Sequence, residues 1–447
     1  VIYCINYKRS NQTFSVETSL STLFFREETM KKLLIAVLCL MLTGCAAPAP
    51  SDGSGPDRSV SPDIPAPSPA ASSAPNGESG PPQASPETDP ETAENPSASQ
   101  EPSESSLGPQ NQEQIIQELL SAMTLEEKVG QMFFVRCPET GGAELAAQYK
   151  VGGYLLFGRD FKDKTAQQVR DDIQSYQDAS GIPLLIGTDE EGGTVVRASS
   201  NPDLFPQREP APQTLFAQGG MDLILQDARQ KSMTLLDLGV NVNFAPVADV
   251  STDPADFIYA RSFGQDAQAT ANYVAQVVGV MGEEQIGSVL KHFPGYGNNV
   301  DTHTGIALDQ RPYETFQTSD FLPFQAGIQA GADAVLVSHN IAASMDESLP
   351  ASLSPTVHKI LREELGFDGV VLTDDLAMDA VMEYAQNGSA AVLAIQAGND
   401  MVVTTDFQTQ IPQVIHAVQS GVIAESQIDQ AVTRVLNWKY ELGLLGN

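Results

Sequence analysis

A chain of 447 residues and 47.7 kDa has room for two or three domains at roughly 100 to 200 residues each. Its 24 Lys and Arg against 57 Asp and Glu give a formal charge of -33, a balance that repels phosphate backbones and sets nucleic acid aside as a partner. Four cysteines, two of them in or before an N-terminal apolar run, support neither a disulfide scaffold nor a Cys-based zinc site.

Residues 1–29 have no pattern of their own, and translation is expected to begin at Met30. From there MKKLLIAVLCLMLTGC combines two lysines, an apolar run from Leu33 to Leu42 that is too short to span a bilayer, and small residues before Cys45. The stretch 30–45 resembles a bacterial lipoprotein signal in which Cys45 is lipidated and becomes the first residue of the mature chain. Residues 46–110 are mostly Pro, Ser, Ala, Gly, Glu and Thr and have almost nothing to bury, so they are expected to form a disordered tether. Such a leader and tether predict an extracytoplasmic domain held at the outer face of the cell membrane.

From residue 111 to 447 eight short apolar runs recur. They are Met132–Arg136, Gly153–Phe157, Pro183–Thr188, Val240–Pro246, Gly287–Phe293, Ala334–Ser338, Gly369–Thr373 and Asp400–Thr404. Continuous runs of this length suit strands buried on both faces of a parallel sheet. Between them lie segments of helical length and spacing, such as Thr165–Ala179, Met221–Leu238, Asp266–Glu284, Glu314–Ala330 and Ser354–Leu365. Eight alternations predict an α/β fold, a single (β/α)8 barrel of the TIM type, with a doubly wound sheet as the alternative.

In such a barrel the active site lies at the C-terminal edge of the strands. Polar residues gather there: Asp189-Glu190-Glu191, Asn243 with Asp249, Lys291-His292, Ser338-His339-Asn340 and Asp374-Asp375. Five such clusters on one edge would leave buried charges unpaired unless they faced a common polar cavity. The segment KHFPGYGNNVDTH, Lys291 to His303, breaks into a loop at Pro294, Gly295 and Gly297 and carries Asp301 two residues before His303. A carboxylate at that spacing can orient and polarise an imidazole. No metal-ligand spacing, phosphate loop or dinucleotide fingerprint occurs, so no metal and no cofactor is expected.

This string resembles the signature of the family 3 glycoside hydrolases, specifically their β-N-acetylglucosaminidase branch. Further segments agree in order: Thr188 to Gly193 with Arg197, then Tyr259-Ala260-Arg261-Ser262-Phe263-Gly264, Leu349-Pro350-Ala351-Ser352-Leu353-Ser354, and Gly366 to Met378. Glu190 stands where the family usually has Gln and Thr194 where it usually has Arg.

The resemblance implies Asp374 as the nucleophile, His303 as acid and base, and Asp301 as the residue holding the His303 tautomer. It implies Asp189, Arg197, Arg261, Lys291 and His292 as sugar-binding positions. Asp375 is the rival nucleophile. His339 is left between lining the cavity and packing, His358 and His416 are expected on the surface, and Trp438 is expected in packing. The implied activity is retaining exo-hydrolysis of terminal β-linked N-acetylglucosamine from peptidoglycan fragments or chitooligosaccharides, by a monomer. Phosphorolysis or β-glucosidase action at the same site, and a non-catalytic sugar-binding lipoprotein, are the alternatives. Many β-glucosidases of the wider family carry the acid/base on a following domain, and none is expected here, which favours the single-domain type.

Overall fold

The structure is a computed structural model that describes residues 109–299, 307–377, 381, 384 and 389–446. The leader and Cys45 lie outside them. The first described helix, Pro109–Ala122, begins two residues inside the stretch read as tether, with proline at the first position, where its missing N–H costs nothing.

Strands β1 (Phe133–Arg136), β2 (Gly153–Leu156), β3 (Leu185–Thr188), β4 (Val242–Asn243), β5 (Gly287–Phe293), β6 (Ala334–Val337), β7 (Val370–Thr373) and β8 (Val402–Thr404) form one parallel sheet. Each falls within its expected run. They pair in the order β8-β1-β2-β3-β4-β5-β6-β7, with Phe133 opposite Val402, and a parallel bridge from Leu372 to Met401 joins β7 to the start of β8. The sheet therefore closes into the expected (β/α)8 barrel.

Alternation sorts the side chains into two cores. Phe134, Leu155, Leu185, Val242, Phe244, Val289, Leu336, Leu372 and Val403 fill the interior, while Phe133, Val135, Ile186, Leu290, Val335 and Val371 face the helices outside. Phe134 and Phe244 meet edge to face at 5.2 Å across the interior, and a β-carbon at Gly187 would come within 2.7 Å of the Phe244 ring. Helices start where caps allow. Thr165 makes a capping box with Gln168 at the head of Ala166–Ala179, and Asp266 accepts from the Ala269 amide at the head of Ala267–Glu283. The helix expected from Met221 follows a break at Gly219 and Gly220, where φ of +65° at Gly220 interrupts the span Pro212–Asp237.

The terminal helix Glu425–Glu441 seals the lower end of the barrel. Val435 and Trp438 join the interior cluster beside Gly287, so Trp438 packs as expected. Lys439 is fully buried beside it, with Nζ donating to Gln131 Oε1 at 2.6 Å. Burial pulls its ammonium down to about 7. Since the folded value lies below the unfolded one, the unfolded chain holds more protons between about pH 7 and 10, and stability rises with pH across that window. The stability of the protein relative to Lys439→Met should therefore increase by a few kcal/mol between about pH 6.5 and 9.5 in urea titrations. A difference that does not change with pH would refute the lowered titration of Lys439.

His358, expected on the surface, is buried: its ring packs against Gly398 and Nδ1 bonds the Ser354 carbonyl at 2.8 Å. The helix Pro355–Lys359 turns that face toward the helix Ala390–Ala397. His416 is exposed, as expected. Cys137 is buried, and burial pushes its thiol up to about 12, which makes it an inert packing residue. Among the described residues no helix is long and apolar enough to cross a membrane.

Candidate active site

At the C-terminal mouth of the barrel a cavity of ≈ 570 Å³ is lined by residues of β1, β2, β5, β6 and β8 and of the segments that follow β2, β3, β4, β5 and β7. That is within the roughly 300 to 1,000 Å³ common for small-molecule sites. Asp189, Arg197, Arg261, Lys291, His292 and Asp374 all line it, although they are far apart in sequence.

The turn after β3 brings two of them together. Gly192 and Gly193 have φ of +97° and +67°, and a β-carbon at Gly192 would lie 2.2 Å from the Pro210 carbonyl oxygen, so only glycine fits. The chain doubles back, and Arg197 Nη2 reaches Asp189 Oδ2 at 3.3 Å. Glu190, at the position where glutamine is usual, points away from the cavity and is fully buried. Its carboxylate accepts from the amides of Arg197, Ala198 and Ser199 at 2.9, 2.7 and 3.3 Å and from Ser199 Oγ at 2.5 Å, capping the short turn Ala198–Ser200. It positions Arg197 through the backbone.

Strand β5 contributes two neighbouring side chains because a bulge between Lys291 and Phe293 shifts its register against β6. Lys291 is 2% exposed and donates to Asp189 Oδ1 at 2.7 Å and Glu191 Oε1 at 2.5 Å. Glu191 also accepts from Arg261 Nη2 at 2.7 Å and Nε at 3.0 Å. Burial alone would raise the Glu191 carboxyl, but Arg261 and Lys291 more than offset it and hold the group well below the usual carboxylate range. Taking one member from such a buried cluster typically costs about 3–5 kcal/mol, because its partners stay charged and unpaired.

His292 Nε2 lies 3.1 Å from Arg261 Nη2, which can only donate, so Nε2 accepts and the ring proton sits on Nδ1. Nδ1 donates to Asp249 Oδ2 at 2.7 Å. Asp249 also accepts from the His292 and Tyr296 amides at 3.1 and 2.8 Å, so it fixes ring and loop together.

On β7, Leu372 faces the interior, so Asp374 two residues later continues that face. Asp374 Oδ1 accepts from the Asp375 amide at 2.8 Å. Asp375 Oδ1 accepts from the Ala377 amide at 3.0 Å, and His339, fully buried, bonds the Asp375 carbonyl through Nε2 at 3.0 Å and Ser352 Oγ through Nδ1 at 2.7 Å. His339 thus packs behind the β7 turn and braces it.

Asp301 and His303 lie outside the described residues. The stems on either side are tied together: Asn299 Nδ2 donates to Asp309 Oδ2 at 2.8 Å, and Arg311 clasps Asp309 and Asp320 while donating to the Gly295 carbonyl at 3.3 Å. Leu308–Asp309 also pairs in parallel with Ile341–Ala342. Among the described residues no cluster of His, Cys, Asp and Glu is arranged to hold a metal.

Sequence reasoning did not single out Arg136, Phe157 or Tyr296, which also line the cavity, and it left Glu191 and Asp249 without roles. For Arg136 the signal was available: it is the one charged residue closing an otherwise apolar run, two residues after the inward Phe134.

Known proteins share the sequence and the fold of this chain. Residues 124–438 match the family model described as the glycosyl hydrolase family 3 N terminal domain. A protein named beta-hexosaminidase from Stenotrophomonas maltophilia is 35% identical over 318 residues, 68% of this chain and 89% of that protein. The structure of a family 3 beta-N-acetylglucosaminidase from Paenibacillus sp. str. FPU-7 superposes with a TM-score of 0.66 at 30% identity, over 73% of this chain and 64% of that one. The beta-N-acetylhexosaminidase structure from Beutenbergia cavernae gives 0.62 at 29% identity, over 70% and 98%.

Proposed function

The chain belongs to glycosyl hydrolase family 3, and from that membership and the make-up of the cavity we propose that it is a retaining exo-β-N-acetylglucosaminidase. The observation that carries the reading is one cavity in which Asp374 shares walls with Asp189, Arg197, Arg261, Lys291 and His292. These are fixed donors and acceptors of the kind a sugar ring needs, since hydroxyls left unpaired in a closed site cost affinity. The names of the relatives support N-acetylglucosamine as the sugar.

In this reading the Asp374 carboxylate attacks the anomeric carbon as the bond to the leaving oxygen breaks, and His303 gives that oxygen its proton. His303 then takes a proton from water, which attacks the same carbon and releases Asp374. Two inversions give net retention. Asp301 holds the imidazole and stabilises its charged form. Natural substrates would be peptidoglycan fragments or chitooligosaccharides. The purified barrel should release the aryl group from an aryl β-N-acetylglucosaminide and give free N-acetylglucosamine with or without inorganic phosphate. A requirement for phosphate, with the sugar phosphate as product, would make it a phosphorylase. No turnover at all would leave the sugar-binding alternative.

The location is part of the proposal. With Cys45 lipidated and residues 46–110 as tether, the barrel stands outside the cell membrane, where such glycans occur. Cys45→Ser should move the protein from the membrane fraction to the soluble fraction with the barrel's activity intact. Continued membrane association would remove the argument for the anchor.

A further inference from the structure

Among the described residues that line the cavity, Arg136 is the one cation with no carboxylate partner. Arg197 is paired with Asp189, Arg261 with Glu191, and Lys291 with both. Arg136 ends β1 on the inward face, two residues beyond Phe134, and its guanidinium lies 4.2 Å over the Phe157 ring. Arg197 approaches the same ring at 5.2 Å. The Arg136 Nε is cut off from solvent and has no hydrogen-bond partner. Leu155, Leu336 and Val403 make the neighbouring wall apolar.

A charge in this position is incompletely offset. Stacking on an aromatic face is worth about 0.5–2 kcal/mol, but it uses none of the guanidinium N–H donors. The Nε–H is closed to a ligand as it is to water, so a ligand meets the two Nη groups, which have no hydrogen-bond partner among the described residues. Neutral hydroxyls could accept hydrogen bonds, yet they would leave the charge uncompensated beside an apolar wall. A carboxylate, sulfate or phosphate group would supply both charge and paired acceptors in the fork geometry of arginine. The need for a local cation is sharpened by the formal charge of -33, which repels anionic substrates at long range.

We propose that Arg136 is a specificity-determining residue that reads an oxyanion carried on the glycoside, so that the site prefers a negatively charged N-acetylglucosaminide to a neutral one. The inference rests on the glycosidase reading and names the substrate class of the same cavity. Arg197, on the same aromatic ring and already paired with Asp189, remains the contact for neutral hydroxyls.

The test compares three aryl β-N-acetylglucosaminides: a neutral one, one carrying a carboxylate on the aryl group, and one carrying a 6-O-sulfate on the sugar. At least one charged substrate should have the higher kcat/KM with the native enzyme. Arg136→Met, which keeps a stem to pack on Phe157, should lower the charged-to-neutral ratio by roughly 10- to 100-fold, the loss expected for a hydrogen bond to a charged group. Arg136→Lys should keep part of the preference, and serves if the methionine variant does not fold. Which charged substrate responds assigns the oxyanion to the aglycone or to the sugar. A native ratio at or below one, or a ratio that Arg136→Met leaves unchanged while both rates fall, would overturn the proposal in favour of hydroxyl recognition. Phosphate-stimulated turnover that Arg136→Met abolishes would overturn it in favour of a free anion. No turnover of any of the three would instead defeat the glycosidase reading.

Discussion

Replacing Asp374 by Asn should abolish turnover while leaving N-acetylglucosamine bound. In the proposed mechanism the variant removes the attacking carboxylate alone, so the donors and acceptors proposed to hold the sugar should keep their places. Removal of a covalent nucleophile can cost on the order of 10⁶-fold in kcat. Competition or calorimetry should therefore report sugar affinity within a few-fold of native beside a near-complete loss of rate. Asp375→Asn should lose far less. The Asp375 carboxylate caps the Ala377 amide and its carbonyl bonds His339, both of which fix the turn after β7, whereas Asp374 continues the inward face begun by Leu372. Local stability, read as a shifted Tm, is what Asp375→Asn should change most. The opposite ranking of the two variants would transfer the nucleophile to Asp375.

His303→Ala should produce a defect that depends on the leaving group. General acid catalysis typically contributes about 10²- to 10⁴-fold and matters most when the departing oxygen is basic, as in a disaccharide. A nitrophenolate needs little protonation, so glycosylation of Asp374 should suffer far less with an aryl glycoside. Deglycosylation would still lack its base and should become limiting. Azide, a small anion that needs no deprotonation, should then restore turnover and leave a β-glycosyl azide. Asp301→Ala should show a milder form, since the proposed mechanism leaves the imidazole in place and gives Asp301 only a supporting role. Equal losses on natural and activated substrates, with no azide effect, would remove His303 from the acid/base role.

The barrel was readable because strands buried on both faces are written as unbroken apolar runs, and all eight appear. Their C-terminal ends were readable as a polar edge for the same reason: a charge at the end of such a run needs a shared cavity. What could not be read is pairing across the mouth. Nothing in the neighbourhood of Asp189 announces that Lys291 will meet it, or that Asp249 will hold His292, because those contacts exist only once the strands stand side by side. Glu190 shows the converse. Its sequence position beside Asp189 suggested a place on the rim, but the double-glycine turn rotates it inward to cap the backbone that carries Arg197. His358 was misread because helical spacing shows that a face is apolar without showing which polar residue its neighbour will cover.

The closure of β1 against β8 ties the first strand of the domain to the last, with Phe133 opposite Val402, and the terminal helix then seats Trp438 under the finished ring. A growing chain cannot complete that ring until nearly all of it has been made. Local β-α units can form early, but β1 must wait with an open edge, the most non-local pairing in the fold and therefore the slowest to close. A polypeptide released before the β8 segment would offer the unpaired edges of β1 and β7 to proteases or to another copy. The architecture thus makes synthesis nearly all-or-none: a full-length chain hides every edge of its sheet, and a chain cut short leaves two exposed.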